Sequence, residues 1–233
     1  MKQHTCTATT YIKSFPTFSR PVVVLCDDGR TYVIKGLQHS QPMAHGLTTE
    51  QVIGRLGQAL GAPVPLLALV MVPQALIDLE PQMAHLSPGI AHGSLLVPNV
   101  SERAGIEPPT TPQDRAWYAS LAVMYGWGHA GDHQLVYSLD ADKRPYSVDH
   151  GHFLPGGPNW SAATLSPSNP ATPDQNFAQH VNTADLDTPL QIARAFSPAD
   201  LSGLMEFSLP NWGVPADDLA ALESFLGTRQ GEL

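Results

Sequence analysis

The chain has few cysteines and no cluster of positive charge, and these absences exclude several classes of protein. Its 233 residues include only Cys6 and Cys26, too few for a disulfide framework. Lys and Arg number 12 against 21 Asp and Glu, which gives a net charge of −9, and no run of basic residues occurs. Binding to nucleic acid or to an anionic membrane surface through bulk charge is therefore not expected.

Long apolar stretches are missing as well. The longest, residues 64–73, is about half the length that spans a bilayer. The opening segment, MKQHTCTATTY, lacks the basic region and apolar stretch of a secretory signal, so we expect a cytoplasmic protein with no membrane partner. With 42% hydrophobic residues, the chain nevertheless has enough apolar side chains for a substantial core in one compact unit.

The first third of the chain alternates strand patterns with one helical pattern. Residues 22–26 and 31–35 are runs of strand formers, and the Asp-Gly pair between them predicts a tight hairpin. Residues 64–72 and 93–98 predict two further strands. This part of the chain should therefore be rich in β-structure.

One helix is predicted between these strands. Thr48 and Gln51 fit a capping box, so the helix should begin there, with Glu50 in its first turn. An acidic residue in a first turn is ordinarily favoured by the helix dipole alone, which is the structural explanation of Glu50.

The second half reads as mainly helical, with one hairpin. Turn formers at residues 138–145 separate two short apolar runs, which predicts that hairpin. The helical patterns lie at residues 112–124, 188–196, 198–207 and 215–226.

Polar side chains gather at the mouth of this hairpin. Asp132 and Gln134 precede its first strand and Asp149 follows its second, so we expect Gln134 and Asp149 to lie close together. Carboxylate and carboxamide oxygens suit a divalent cation that carries phosphates. With Lys35 at a strand end and Glu50 on a helix, the parts of a nucleotide site are present.

The order and separations of these parts resemble the HipA-like kinases, relatives of phosphatidylinositol-kinase-like enzymes. The resemblance covers roughly residues 22–155 and rests on four segments. They are YVIK, which ends at Lys35; EQVIGRLG, which begins at Glu50 and runs into GAPVP; GDHQ around Asp132; and VDHG around Asp149. It implies an α+β, two-lobed protein-kinase-like fold. The small β-rich N lobe would occupy residues 1–98 and the mainly helical C lobe residues 99–233.

The resemblance also implies a function and roles for five residues. The protein would be an ATP- and Mg²⁺-dependent phosphotransferase that moves the γ-phosphate of ATP to a Ser, Thr or other hydroxyl on a protein or small molecule. Lys35 would reach the nucleotide phosphates and Glu50 would hold it in position. Gln134 and Asp149 would bind Mg²⁺, and Asp132 would be the catalytic base. Without the resemblance, Lys35 and Asp149 would read as a solvated strand-end lysine and a structural turn residue.

The loop around Asp132 departs from the family pattern. The family's catalytic Asp is followed five residues later by a metal-binding Asn, whereas the fifth residue after Asp132 is Tyr137. In one alignment the loop is shortened and Gln134 replaces the Asn; in the other, His129 occupies the position of the Asp. We favour the first, because a carboxylate both accepts a proton and attracts Mg²⁺. The departure leaves an ATP-binding pseudokinase as an alternative.

A second departure concerns the phosphate loop. Residues 7–20 contain no glycine, so Thr, Ser and backbone groups there would have to contact the phosphates. Adenine is expected, from the family resemblance, against the backbone near residues 95–100.

Histidines support a rival hypothesis, a metal-dependent hydrolase. The candidate ligands are His129, His133, His150, His152, Asp132 and Asp149. However, glycines at positions 128 and 131 disfavour a helix that would place His129 and His133 on one face. This hypothesis also leaves Lys35 and Glu50 without a role.

Overall fold

The first hundred residues build a closed barrel of five strands. The computed structural model describes residues 4–101, 105–140, 142–165 and 170–233. Neighbouring strands follow the order β1-β2-β3-β5-β4, and β4 closes the barrel by pairing with β1 in parallel, whereas the other pairs are antiparallel. The strands are β1 (Thr5–Ser14), β2 (Val22–Cys26), β3 (Thr31–Lys35), β4 (Leu67–Val72) and β5 (Gly89–Leu95).

The β2–β3 hairpin is the part of the barrel that the sequence predicted best, since both strands have the predicted bounds. Gly29 adopts a φ of 76° in the turn, a conformation that costs glycine little. Val22, Val24 and Ile34 from this hairpin are fully buried in the apolar core of the barrel.

The other barrel strands differ from prediction. Strand β4 begins at Leu67 rather than at residue 64, because Pro65 has no N–H for a ladder and its carbonyl oxygen accepts from Gln58 Nε2 instead. Strand β5 ends at Leu95, before Pro98, which has no N–H to donate to a ladder. Strand β1 occupies much of the segment predicted as a phosphate loop, and helix α2 (Gln74–Leu79) was not predicted.

Helix α1 (Ala44–Ala59) begins one turn earlier than the predicted capping box. The prediction for Thr48 was wrong, because its hydroxyl donates to the Ala44 carbonyl oxygen within the helix instead of capping an end. Glu50 therefore lies in the second turn. All residues from 46 to 57 are buried, so α1 is enclosed on every side by the barrel and the helices that follow.

The rest of the chain is mainly helical and includes a small sheet. Strands β6 (Val100–Ser101), β7 (Leu135–Ser138) and β8 (Pro145–Ser147) form that sheet, in which β7 and β8 are the predicted hairpin. The helices are α3 (Pro112–Gly128), α4 (Gln175–Ala178), α5 (Thr183–Arg194), α6 (Pro198–Gly203), α7 (Ser208–Trp212) and α8 (Ala216–Glu232).

The predicted α+β class is confirmed in its coarser form, as a mixed fold of helices and sheets. The closure of the N-terminal strands into a barrel was not predicted. The division into lobes at residues 98 and 99 stays a prediction. Within the described ranges, no helix is both long and apolar enough to cross a membrane.

Candidate functional site

A cleft of about 490 Å³ lies between the barrel and the β7–β8 hairpin. A second cavity of about 320 Å³ shares some of its walls and extends to Asp132 and the start of α1. Four of the predicted site residues line both cavities, namely Lys35, Glu50, Gln134 and Asp149. The fold thus gathers side chains that are as far as 114 positions apart in sequence.

Lys35 is the centre of this group. It is the last residue of β3 and is buried, and its Nζ lies 2.5 Å from Glu50 Oε1 and 2.6 Å from Asp149 Oδ1. Burial lowers the pKa of Lys35, but the carboxylates of Glu50 and Asp149 outweigh it and raise the pKa above its ordinary value. The ammonium group is therefore charged at neutral pH.

Glu50 is held from both sides of its carboxylate. Its Oε1 accepts from Lys35, and its Oε2 accepts the backbone N–H of His150 at 2.9 Å. Burial raises the pKa of Glu50, but Lys35 and then His150 outweigh that effect, so the pKa lies below its ordinary value. The helix that carries Glu50 is thereby tied to the turn that follows β8.

Two buried histidines flank this carboxylate. A ring nitrogen of His92 and one of His150 each lie 3.9 Å from Glu50 Oε2. Burial lowers the pKa of both rings, and Lys35 lowers that of His92 further, so both are neutral at pH 7. His150 Nε2 also bonds to Ser147 Oγ at 2.9 Å. His92 was not predicted as a site residue, because only the pairing of β5 with β3 places it opposite Lys35.

Asp149 lies at a sharp turn. Its φ of 57° is in the left-handed region, which Asp tolerates better than most residues. The turn follows β8 directly, and the Val148 N–H donates to the Gln134 carbonyl oxygen at 3.1 Å. The predicted proximity of Gln134 and Asp149 is thus present in the backbone.

Asp132 and Gln134 form a small polar unit of their own. Asp132 Oδ2 accepts from Gln134 Nε2 at 2.8 Å, and Asp132 Oδ1 accepts the His133 N–H at 2.7 Å. The side-chain amide of Gln134 uses its nitrogen in the bond to Asp132. The side-chain oxygen of Gln134 takes no part in that bond. His133 in turn bonds through Nε2 to Asp174 Oδ2 at 3.0 Å, which links the loop to the start of α4.

The β1–β2 connection borders both cavities, at the place where a phosphate loop was expected. Phe15 and Pro21 line the larger cavity, Phe18 and Ser19 line the smaller one, and Thr17 lines both. Residues 7–14 are instead part of β1. Contact between this connection and phosphates stays a prediction.

The oxygen donors present fit a divalent cation better than the histidines do. Asp132, Gln134 and Asp149 line one cavity and offer the hard oxygen ligands that Mg²⁺ prefers. Within the described residues, neither the four histidines of the hydrolase hypothesis nor Asp132 and Asp149 belong to a group of three His, Cys, Asp or Glu donors within 4.8 Å of one another, so the preference rests on the oxygen chemistry of Mg²⁺.

Comparison with known families gives a match in the N-terminal part of the chain. A family model described as HipA-like kinase matches residues 12–114. The resemblance to HipA-like kinases is confirmed. The matched HipA-like segment contains Lys35 and Glu50 but ends before Asp132, Gln134 and Asp149. No curated protein matches the chain.

Solved structures resemble the whole chain at the level of the fold. The crystal structure of a Helicobacter pylori proinflammatory kinase, CtkA, is 12% identical and has a TM-score of 0.59, covering 100% of this chain and 95% of its own. That likeness shows a kinase-like fold and no more. Two structures of the Golgi casein kinase, one with Mn/ADP bound, are 11% identical with a TM-score of 0.46 and cover 99% of this chain and 72% of theirs.

Proposed function

We propose that this protein is an ATP- and Mg²⁺-dependent phosphotransferase of HipA-like type that transfers the γ-phosphate of ATP to a hydroxyl acceptor. The observation that carries the proposal is the buried Lys35 ammonium, held between Glu50 and Asp149 in a cleft large enough for a nucleotide. A lysine kept charged and aligned by two carboxylates is what phosphoryl transfer requires for binding the nucleotide phosphates.

The other roles follow from the positions of the side chains. Asp149 and Gln134 are the residues that would hold Mg²⁺, whose charge offsets that of the phosphates. Asp132 lines the smaller cavity together with both of them, so an acceptor hydroxyl bound there would meet its carboxylate. Asp132 would take the proton from that hydroxyl as it attacks the γ-phosphate.

The adenine end of the cleft would lie against the segment that leaves β5. Residues 95–97 line the cleft. The Leu96 N–H is used within the protein, since it donates to the Thr31 carbonyl oxygen. In this proposal residues 1–98 form the N lobe and residues 99–233 the C lobe, with the nucleotide between them.

An ATP-binding pseudokinase is the second candidate, and one contact favours it. Both carboxylate oxygens of Asp132 accept hydrogen bonds from its own loop, from the His133 N–H and from Gln134 Nε2. Each oxygen keeps a further lone pair, but these bonds turn the carboxylate toward its own loop and restrict the approach of a substrate hydroxyl. If the loop does not rearrange when nucleotide binds, transfer would fail while binding persists.

Phosphoryl transfer by purified protein separates the two candidates. If Asp132 is the base, Asp132→Asn keeps ATP binding but lowers autophosphorylation or ATP turnover by about two to four orders of magnitude. Asp140→Asn, in the β7–β8 turn, is the matched control and should retain wild-type activity.

Three outcomes would contradict parts of this proposal. Equal residual turnover in wild type and Asp149→Ala, with ATP still bound, would identify a pseudokinase. Loss of transfer in His129→Ala but not in Asp132→Asn would assign the base to the other alignment of the loop. Absence of ATP binding with either Mg²⁺ or Mn²⁺ would contradict both candidates.

A further inference from the structure

A group of potential metal ligands lies at the opposite end of β3 from Lys35. The donor atoms of His4, Cys6 and Asp28 all lie within 4.8 Å of one another. Among the described residues, this is the only group of three or more His, Cys, Asp or Glu donors that lie so close together. None of the three lines either cavity of the candidate kinase site. From Thr31 to Lys35 the strand alone spans about 13 Å.

Hydrogen bonds already orient two of the three donors. His4 Nε2 lies 2.8 Å from Asp28 Oδ2, which also accepts from the Tyr32 hydroxyl at 2.8 Å. The backbone N–H of Arg30 donates to Asp28 Oδ1 at 3.0 Å. Bonds from outside the ligand set fix metal-binding carboxylates in this manner and strengthen metal sites.

The third donor is a free thiol. Cys6 is buried and forms no disulfide, and its only cysteine neighbour, Cys26, is also free. The Cys6 thiol lies on the barrel wall close to the donor atoms of His4 and Asp28. The His4 and Asp28 side chains are partly exposed, which leaves a path from solvent to the three donors. Nothing in the kinase proposal uses these side chains.

We propose that His4, Cys6 and Asp28 bind Zn²⁺ or a divalent cation of similar softness. One nitrogen, one sulfur and one oxygen donor suit Zn²⁺, which accepts all three, and disfavour Mg²⁺, which prefers oxygen ligands. Binding would release the Cys6 thiol proton to solvent and replace the S–H bond and the His4–Asp28 hydrogen bond by bonds to the metal. Donors around tetrahedral Zn²⁺ are about 3.3–3.8 Å apart, so shifts of about 1 Å bring the three side chains to bonding distance, and a water molecule supplies the fourth ligand.

The position of the site indicates what the metal would do. His4 immediately precedes β1, and its carbonyl oxygen accepts from the Leu69 N–H, where β1 and β4 close the barrel. Asp28 belongs to the β2–β3 turn, and the neighbouring Asp27 accepts from the Thr7 N–H. A metal here would join the closing edge of the barrel to that turn and would stabilise the fold.

Cobalt substitution tests the site directly. The probe is Co²⁺, titrated into the full chain after treatment with chelator and reductant and without a histidine tag. We expect one Co²⁺ per chain with a thiolate-to-cobalt absorption band, which Zn²⁺ displaces and Mg²⁺ does not. A hundredfold excess of Zn²⁺ over its Kd should raise Tm by about 5–10 °C.

Matched variants assign the ligands. Cys6→Ser should abolish the band, whereas Cys26→Ser should retain it. Tyr32→Phe removes a hydrogen bond to Asp28 and should weaken Zn²⁺ binding by about 10- to 100-fold. His4→Ala removes a ligand and should weaken Zn²⁺ binding by at least as much. His39→Ala, at an exposed histidine, should leave Zn²⁺ binding unchanged. His4 is partly exposed, so His4→Ala tests the site even if Cys6→Ser does not fold.

Several results would overturn the proposal. They are no thiolate band in wild type, a band retained in Cys6→Ser, or unchanged Zn²⁺ affinity in His4→Ala. A disulfide between Cys6 and Cys26 that resists treatment with reductant and excludes Co²⁺ would also overturn it. Phosphoryl transfer is expected to persist in His4→Ala, so failure of this site and failure of the kinase proposal are separate results.

Discussion

At the scale of single residues, the informative feature is a lysine buried between two carboxylates. Burying an ammonium group without partners is costly, and removing one partner of a buried ion pair typically costs several kcal/mol. Lys35, Glu50 and Asp149 therefore depend on one another for stability as well as for any chemistry. This makes it possible to separate the two contributions by mutation.

Glu50→Leu should destabilise the protein by about 3 kcal/mol, the lower end of the range for breaking a buried pair, because Asp149 still pairs with Lys35. The double variant Lys35→Met/Glu50→Leu should recover most of that loss, since neither position keeps a buried charge and the Asp149 carboxylate, which loses Lys35, is partly exposed to water. Urea unfolding measures both values, with Lys143→Met in the exposed β7–β8 turn as control. The double variant should still fail to bind ATP. Recovery of ATP binding would argue against a phosphate-binding role for Lys35.

At the scale of secondary-structure elements, helix α3 supports the loop that carries Asp132. A Cβ on Gly126 would overlap the carbonyl oxygen of Thr172, so only glycine lets the segment before α4 lie against α3. In that position Asp174 donates its N–H to the Ala122 carbonyl oxygen at 2.7 Å and bonds to His133 through its carboxylate. The loop between α3 and β7 is thus held by a contact that a methyl group would break.

Gly126→Ala should therefore destabilise the protein by about 1–3 kcal/mol, although alanine is the better helix former. It should also lower phosphoryl transfer more than ATP binding, because the displaced Asp174 no longer fixes His133 beside Asp132. The matched control is Gly227→Ala in α8, where the new Cβ meets Leu201 Cδ1 at an ordinary 3.7 Å. That substitution should stabilise the protein by about 0.5–1 kcal/mol. Equal effects of the two substitutions on unfolding would contradict the packing argument.

At the scale of the whole molecule, the candidate site is a junction between parts. The barrel contributes Lys35, helix α1 contributes Glu50, and the segments around the β7–β8 hairpin contribute Gln134 and Asp149. A ligand that contacts all of them stabilises the assembled fold and has no such site in the unfolded chain.

ATP with Mg²⁺ should consequently raise Tm by about 5–10 °C at a hundredfold excess over its Kd. Asp149→Ala should remove the part of the shift that depends on Mg²⁺, and Asp140→Asn serves as the control for loss of an acidic residue. Thermal unfolding monitored by circular dichroism measures these shifts. No shift with Mg²⁺ or Mn²⁺ would contradict nucleotide binding in the cleft.

A rise in Tm caused by Zn²⁺ can be assigned to one of two groups of residues by mutation. A shift that is lost in His133→Ala or His150→Ala would favour the metal-hydrolase hypothesis, whereas a shift lost in Cys6→Ser belongs to the site at the barrel edge. The two metal sites involve different histidines, so these variants distinguish them.

Features whose signals lie within a few residues were predictable from the sequence. The Asp-Gly turn specified the β2–β3 hairpin, and the turn formers before Pro145 specified the β7–β8 hairpin, because backbone conformation there depends on the turn residues themselves. The order and separations of four short segments were also enough to indicate the HipA-like resemblance, which the family match over residues 12–114 confirmed.

Contacts between distant segments depended on the folded core and could not be predicted. The start of α1 was mispredicted because burial on all sides, rather than a local cap, sets where that helix lies. His92 joined the neighbourhood of Glu50 through strand pairing, and the barrel closed through three parallel pairs between β1 and β4. Such pairings depend on the packing of the whole core, since a short apolar run has many alternative partners whose energies differ little in isolation.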